Sequence, residues 1–347
     1  MPLRRVREHR RRGERCGRGG GALKPFTYFR ADSVEDAISA ASSPGTTFLA
    51  GGTNLVDLMK LGVAQPTALV DVRTLALDFV DELPSGGLRI GATTRNSDLA
   101  THLLVRERYP ALAQALLSGA SAQVRNVATL AGNLLQRTRC PYFQDITKPC
   151  NKRRPGSGCP AIEGEHRGLA IFGHSPACVA THPSDMAVAL AAFEARVETR
   201  GARGTRSLPI SEFYRLPEDH PDRDTTLEPG ELIVAAELDP VTPGTRSVYR
   251  KARERASFAF ALVSVAAVAA VSDGVVEDCR IALGGVAHGP WRALRAEDAL
   301  RGQAAVSDNF ARAADAELAA ARPLRDNGFK VDLARGLISR TLQEVCL

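Results

Sequence analysis

Thr47-Phe-Leu-Ala-Gly-Gly-Thr-Asn-Leu-Val-Asp-Leu-Met-Lys60 is the stretch on which the fold turns. Thr47, Phe48, Leu49 and Ala50 read as a short apolar strand. Gly51 and Gly52 mark a turn, Thr53 and Asn54 are small and polar, and Leu55, Leu58 and Met59 recur at helical spacing. A strand that runs through paired glycines into a helix start is an anion cradle. The glycines let the backbone approach a phosphate, and free N–H groups at the turn and the helix N-terminus donate to it. The same pattern also fits an ordinary strand–turn–helix junction, and it is neither GxGxxG nor a Walker loop.

Working outward, Asp32 or Ser33 caps a short amphipathic helix that Pro44-Gly45 stops. Ala68–Val72 and Leu88–Thr94 read as strands, Asn96 or Ser97 caps a helix to about Val105, and Pro110–Leu117 starts another. Arg125-Asn-Val-Ala-Thr-Leu-Ala-Gly-Asn-Leu-Leu-Gln136 again sets small polar residues, Thr129, Gly132 and Asn133, between apolar positions. Two such segments are able to grip one dinucleotide from two sides. In Ala180–Phe193, Ser184 is an N-cap and Asp185 sits in the first turn, where the helix dipole favours a carboxylate. Spacing alone reads Asp185 as a capping residue. Val197–Leu208 is a hairpin, 214–230 a proline-rich loop, and Leu232–Leu238 a strand. Composition changes after Pro240. Phe258–Val271 and Val275–Gly285 then form a long hairpin, and the tail from Ala293 is mostly helical, which places a domain boundary near residue 244.

Between the second small-residue segment and Ser184 lies a loop, 137–178, without periodicity. It holds Cys140, Cys150, Cys159 and Cys178, four of the seven cysteines in the chain. Structural zinc usually takes CxxC-type pairs, and none is present. Disulfides conflict with the lack of an export signal. A [4Fe–4S] cluster takes four thiolates and tolerates irregular spacing in loops; coincidental buried cysteines are the further alternative. Arg137, Arg139, Lys148, Lys152, Arg153 and Arg154 oppose only Asp145 before Cys159, a balance that stabilises an anionic cluster and raises its potential.

The formal charge of +6 over 347 residues resides in the first 22, where eight arginines face Glu8 and Glu14. The rest of the chain is neutral, which argues against a nucleic-acid-binding body. No apolar run reaches membrane-spanning length, so no membrane insertion is expected. Residues 1–22 have no apolar h-region and are biased to Gly and Arg; they read as a disordered extension, with translation starting near Leu23. The expected location is cytoplasmic, or periplasmic only if an exported partner carries the chain.

AGGTNLVDLMK, TLAGNLLQ and THPSDMAVAL together resemble the FAD-binding middle subunit of molybdenum hydroxylases, the xanthine dehydrogenase and carbon monoxide dehydrogenase family. The resemblance continues through YRKARERASFAFALVSVAA and RIALGGVAHGPWRALRAE and covers about residues 24–347. With its cysteine loop, the chain is most similar to the flavin subunit of periplasmic-type aldehyde oxidoreductases, which carries a [4Fe–4S] cluster there. The resemblance implies an α+β chain: a two-subdomain FAD-binding fold of the vanillyl-alcohol-oxidase type over 23–243, then a smaller α+β domain over 244–347. It implies that Thr47 to Leu55 wrap the FAD pyrophosphate, with Gly51, Gly52, Thr53 and Asn54 at the centre. Thr129, Gly132 and Asn133 close the second side, Asp185 and Lys251 meet the flavin end, and Ile233 touches the adenine side. With no His or Cys in 47–56, the FAD is expected to be non-covalent. Cys140, Cys150, Cys159 and Cys178 are the expected cluster ligands. His9, His166 and His174 are left as surface or loop residues, and His182 and His288 stand near the site without an assigned role. The expected function is electron transfer from a molybdenum large subunit and a [2Fe–2S] small subunit, through FAD, to an external acceptor, with no catalytic residue on this chain. The alternatives are a free-standing flavin oxidase and a zinc- or nucleic-acid-binding scaffold.

Overall fold

The computed structural model describes residues 23–347; the arginine-rich extension and His9 lie outside them. Three short strands come first: β1 (Thr27–Arg30), β2 (Thr46–Leu49) and β3 (Ala68–Asp71). β3 is the most apolar and the most buried, and both other strands pair with it in parallel, giving the order β1-β3-β2. Parallel pairing needs crossovers, which the helices Val34–Ala41 and Leu55–Lys60 provide. Ser33 starts the first of them by accepting the Asp36 N–H at 3.0 Å.

A second, antiparallel sheet contains β4 (Val80–Glu82), β5 (Leu88–Gly91), β6 (Arg196–Gly201), β7 (Gly204–Pro209) and β8 (Leu232–Leu238), in the order β4-β5-β8-β6-β7. Between β5 and β6 the chain leaves this sheet, forms six helical segments and the cysteine loop, and returns through the buried helix Asp185–Ala192. The helix expected over Asn96–Val105 is two helices, Asn96–Thr101 and Leu103–Arg108, with His102 extended between them. Thr101 Oγ1 donates to the Ser97 and Asp98 carbonyls in the last turn, a back-bond that weakens a helix from within.

The third sheet is β12-β11-β10-β9, built from β9 (Arg246–Ala252), β10 (Val263–Ser272), β11 (Val275–Gly284) and β12 (Trp291–Arg292). Helices Leu294–Leu300, Ser307–Leu318 and Phe329–Cys346 cover one face. Side chains alternate across a strand. Val263, Val265, Ala267 and Ala269 therefore join the core under these helices, while Ala266 and Val268 join the core around helix Asp185–Ala192. Burial on both faces explains why the sequence shows an unbroken apolar run here. The hairpin begins at Val263, later than Phe258. Residues 258–262 instead run along a cavity rim, and Phe258 takes a left-handed φ of 50° that no strand accommodates. Among the described residues no helix is long and apolar enough to cross a membrane.

Candidate functional site

Gly51 and Gly52 follow β2 directly. A Cβ on Gly51 would lie 2.1 Å from the Val127 carbonyl oxygen, so the paired glycines press against the backbone just ahead of Thr129. Gly52 has φ +71°, which a side chain penalises. Opposite, Thr129 caps helix Leu130–Leu134 by accepting the Gly132 N–H at 3.2 Å. Asn54 Oδ1 accepts the Arg137 N–H at 3.0 Å, and Asn133 Oδ1 accepts from Ser184 Oγ and Gln136 Nε2, each at 2.7 Å. The two glycine-containing segments thus form one cradle tied to the start of helix Asp185–Ala192.

The cradle opens into a cavity of about 770 Å³, within the range of cofactor sites. Thr53, Asn54, Gly132, Asn133, Asp185 and Lys251 line it, so both the glycine-cradle part and the C-terminal sheet contribute walls. At one end Lys251 Nζ bonds Asp185 Oδ2 at 2.6 Å and Tyr249 Oη donates to Asp185 Oδ1 at 2.5 Å. Burial pushes the Asp185 carboxyl above its ordinary range, against the pull of the Lys251 ammonium and the Tyr249 hydroxyl. Thr47, Phe48 and Leu49 are β2 itself and support the cradle from behind; Leu55 opens the following helix. Ile233 is 1% exposed in β8 and packs in the core, away from the cavity walls.

Two lining residues, Asn96 and His182, had no cofactor role in the sequence reading; Asn54, expected at the centre of the cradle, joins them in a set of unpartnered polar atoms. Asn96 Oδ1, Asn54 Nδ2 and His182 Nε2 are buried at the cavity with no protein partner. Buried polar atoms are normally satisfied, and this set of donors and acceptors fits a polar ligand such as a dinucleotide. Burial lowers the His182 pKa to about 4, so the ring is neutral. The ring packs on Tyr214 at 4.6 Å. Asn96 looked like a helix cap in the sequence, which hid its outward carboxamide.

Cys140, Cys150, Cys159 and Cys178 are all free thiols and converge on one enclosed space with Phe143, Ala161 and Ala180. The loop is held open by its own polar side chains. Thr138 Oγ1 accepts the Cys140 N–H at 3.2 Å, Ser157 Oγ accepts the Cys150 N–H at 3.0 Å, and Asn151 bridges Gly158 N–H and the Ala177 carbonyl. Arg153 donates to the Tyr142, Phe143 and Asp145 carbonyls at 2.7–2.8 Å. Hydrogen bonding from Cys178, with the Val179, Ala161 and Ile162 N–H groups, lowers the Cys159 pKa to about 6, while burial raises Cys140 to about 11. Among the described residues no three His, Cys, Asp or Glu side chains are grouped so as to hold a metal ion.

Part of the loop's positive charge is compensated from outside the loop. Lys152 is buried and paired with Asp224, which also meets Arg137. Asp224 comes from the 214–230 loop, a partner too distant in sequence to be read. His166, expected at the surface or in a loop, is buried: Nε2 accepts the Asp326 N–H at 2.9 Å and Nδ1 faces the Ala161 carbonyl at 3.0 Å. Cys140 lines both the cysteine space and the large cavity, which share a wall.

A strand-glycine-helix cradle facing a second capped helix, over a cavity walled by both parts of the chain, defines a cofactor-binding subunit of the dinucleotide type. Residues 24–239 match the FAD binding domain in molybdopterin dehydrogenase, and 247–345 the CO dehydrogenase flavoprotein C-terminal domain. The chain is 53% identical over 325 residues to the aldehyde oxidoreductase FAD-binding subunit PaoB of Escherichia coli (strain K12), covering 93% of this chain and 98% of that one. It is 30% identical to the glyceraldehyde dehydrogenase medium chain of Sulfolobus acidocaldarius, over 78% of this chain and 79% of that. Among solved structures, the carbon monoxide dehydrogenase of Hydrogenophaga pseudoflava superposes with a TM-score of 0.73 at 27% identity, over 94% of this chain and 98% of that one. The chain belongs to the FAD-binding medium subunits of the xanthine dehydrogenase and carbon monoxide dehydrogenase family.

Proposed function

We propose that this chain is the FAD- and [4Fe–4S]-carrying electron-transfer subunit of a molybdenum-dependent aldehyde oxidoreductase complex. The observation that carries the reading is the wall shared by the large cavity and the space enclosed by four cysteines, with Cys140 on both. The likeness to an aldehyde oxidoreductase subunit supports aldehydes as the substrate class of the whole complex.

In this reading Gly51, Gly52, Thr53 and Asn54 seat the pyrophosphate from one side and Thr129, Gly132 and Asn133 from the other. Asp185 and Lys251 hold the flavin end, with Asn96 and His182 as added polar contacts. FAD, when bound, would supply a carrier able to take electrons singly from iron–sulfur centres and pass them on singly or in pairs. Thr47 to Ala50 and Leu55 keep the cradle in place. Ile233, buried in β8 away from the cavity walls, is not among the cofactor contacts. The FAD is held without a covalent bond. Cys140, Cys150, Cys159 and Cys178 hold the cluster. Zinc at 2.3 Å from four thiolates needs sulfurs about 3.8 Å apart. A [4Fe–4S] cluster would take one thiolate per iron, and four cysteines around one space match that ligand number. Backbone N–H groups aimed at Cys159 and Cys140 are the kind of donor that stabilises such ligands.

The flavin domain spans 23–243 and the C-terminal domain 244–347. The partners are a molybdenum large subunit and a [2Fe–2S] small subunit, and the complex delivers electrons to an external acceptor. The location is cytoplasmic unless an exported partner carries the chain. The test is metal and flavin analysis with visible spectroscopy on anaerobically purified protein. FAD with about four irons per chain is expected, and zinc without iron would sink the cluster assignment.

A further inference from the structure

Lys330 is a buried amine without an acidic partner. It is the second residue of helix Phe329–Cys346 and has no solvent exposure. Its Nζ donates to three carbonyls: Gly168 at 3.2 Å, Leu169 at 2.9 Å and Gly285 at 2.5 Å. Three acceptors use all three N–H bonds of an ammonium; a neutral amine would turn its lone pair on one of them. Burial alone works against the charge and lowers the pKa to about 7.

The three carbonyls belong to residues that line the large cavity. The cation therefore stands directly behind that wall, where low polarity lengthens its reach. Its position is fixed by neighbours. Asn327 donates to the Ala170 carbonyl at 3.1 Å, and the buried His166 ring accepts the Asp326 N–H at 2.9 Å. A structural peg at this place needs no charge, since a buried cation without a counter-ion is costly.

We infer that Lys330 is a positioning residue for charge: its ammonium compensates the negative charge that electrons bring to the flavin cavity, and so raises the flavin potential. This rests on the proposed reading that the cavity lined by Asp185, Lys251, Leu169 and Gly285 holds the flavin. No bond to Lys330 forms or breaks; each electron adds one negative charge to the cofactor and the protons stay on Nζ.

The test uses the full complex with Lys330→Met, Lys330→Gln and Lys330→Arg, with flavin and iron content measured first. The flavin midpoint potential is expected to move negative in the Met and Gln variants and to stay near wild type in the Arg variant. If Lys330→Met fails to fold, Lys330→Gln, which keeps two N–H donors without charge, decides. An unchanged flavin potential in Lys330→Gln with normal FAD content makes Lys330 a clamp only and overturns the inference, with the electron-transfer reading intact. Wild-type protein purified without flavin defeats the underlying reading instead, and is told apart by cofactor content alone.

Discussion

At the scale of single residues, the tightest point of the site is Gly51. An added methyl at 2.1 Å from the Val127 carbonyl forces apart two backbones that together form the cradle. Gly51→Ala is therefore expected to cost about 1–3 kcal/mol of cofactor affinity, roughly 5- to 150-fold, with secondary structure kept. The flavin-to-protein absorbance ratio after purification checks this, and a full complement of FAD would show that the cradle lies elsewhere. Gly52→Val should act in the same direction through its φ of +71°. The Asp185–Lys251 pair makes a second prediction. Both side chains are buried, so Asp185→Asn leaves an ammonium without its counter-ion and should destabilise the fold by about 3–5 kcal/mol. Adding Lys251→Met should recover much of that loss in thermal unfolding; a double variant no better than the single one would mean that the pair is not the source. From the sequence Asp185 was legible as a cap and, by resemblance, as a cofactor residue. The ion pair was not, because Lys251 arrives from a different sheet.

At the scale of elements, β1 and β3 are tied by more than their ladder. Tyr28 Oη donates to Asp71, and Arg73 chelates the same carboxylate at 2.6–3.1 Å. Burial alone would raise Asp71, but the Arg73 guanidinium, the Tyr28 hydroxyl and the Arg73 N–H outweigh it and hold the pKa at about 2. A carboxyl lowered on folding stabilises the fold above its unfolded pKa, near 4, and that contribution is lost as pH falls through about 2. The wild type should thus lose about 2 kcal/mol more than Asp71→Asn between pH 4 and pH 2. Equal acid sensitivity of the two in denaturant melts would refute it. The strands themselves were largely legible, since apolar runs bounded by Gly and Pro needed no long-range information. The break at His102 and the late start of β10 were not: the first goes with a side-chain back-bond from Thr101 that spacing does not reveal, the second with residues 258–262 lying along the cavity. The cysteine loop sits between these cases. Its four thiols were legible as a set, whereas the capture of Lys152 and Arg137 by Asp224 was not. Replacing any of Cys140, Cys150, Cys159 or Cys178 by Ser should remove the broad cluster absorbance. Cys279 and Cys346, buried in the C-terminal core, should be replaceable without that loss. Loss of the cluster in Cys279→Ser but not in Cys178→Ser would mean that the ligand set is wrong.

At the scale of the whole molecule, one cavity is walled by the segment after β2, by the helical segments and loop between β5 and β6, and by the third sheet, so its Asp185–Lys251 end needs both parts of the chain. Helix Asp185–Ala192 packs against β10, and Lys251 from β9 reaches back to Asp185. Such a site is well suited to hold a cofactor and poorly equipped to activate a substrate. Oxidising an aldehyde at the flavin would require a free base beside an open pocket. Asp185 is already bound by Lys251 and Tyr249, and of the other acids that line the cavity Asp57 faces Arg139 and Glu254 faces Arg167. His182 is buried and neutral, and the body of the chain is uncharged overall, so no field draws in a charged substrate. The isolated chain, loaded with FAD, should therefore take electrons from a chemical reductant and pass them to dyes, yet show no turnover with aldehydes. Turnover should appear when molybdenum and [2Fe–2S] subunits are co-expressed. Asp185→Asn or Lys251→Met, made in that complex, should depress flavin content and dye reduction together, because the pair acts by holding the cofactor. Steady aldehyde oxidation by the purified single chain, shown to be free of molybdenum, would instead establish a free-standing flavin oxidase.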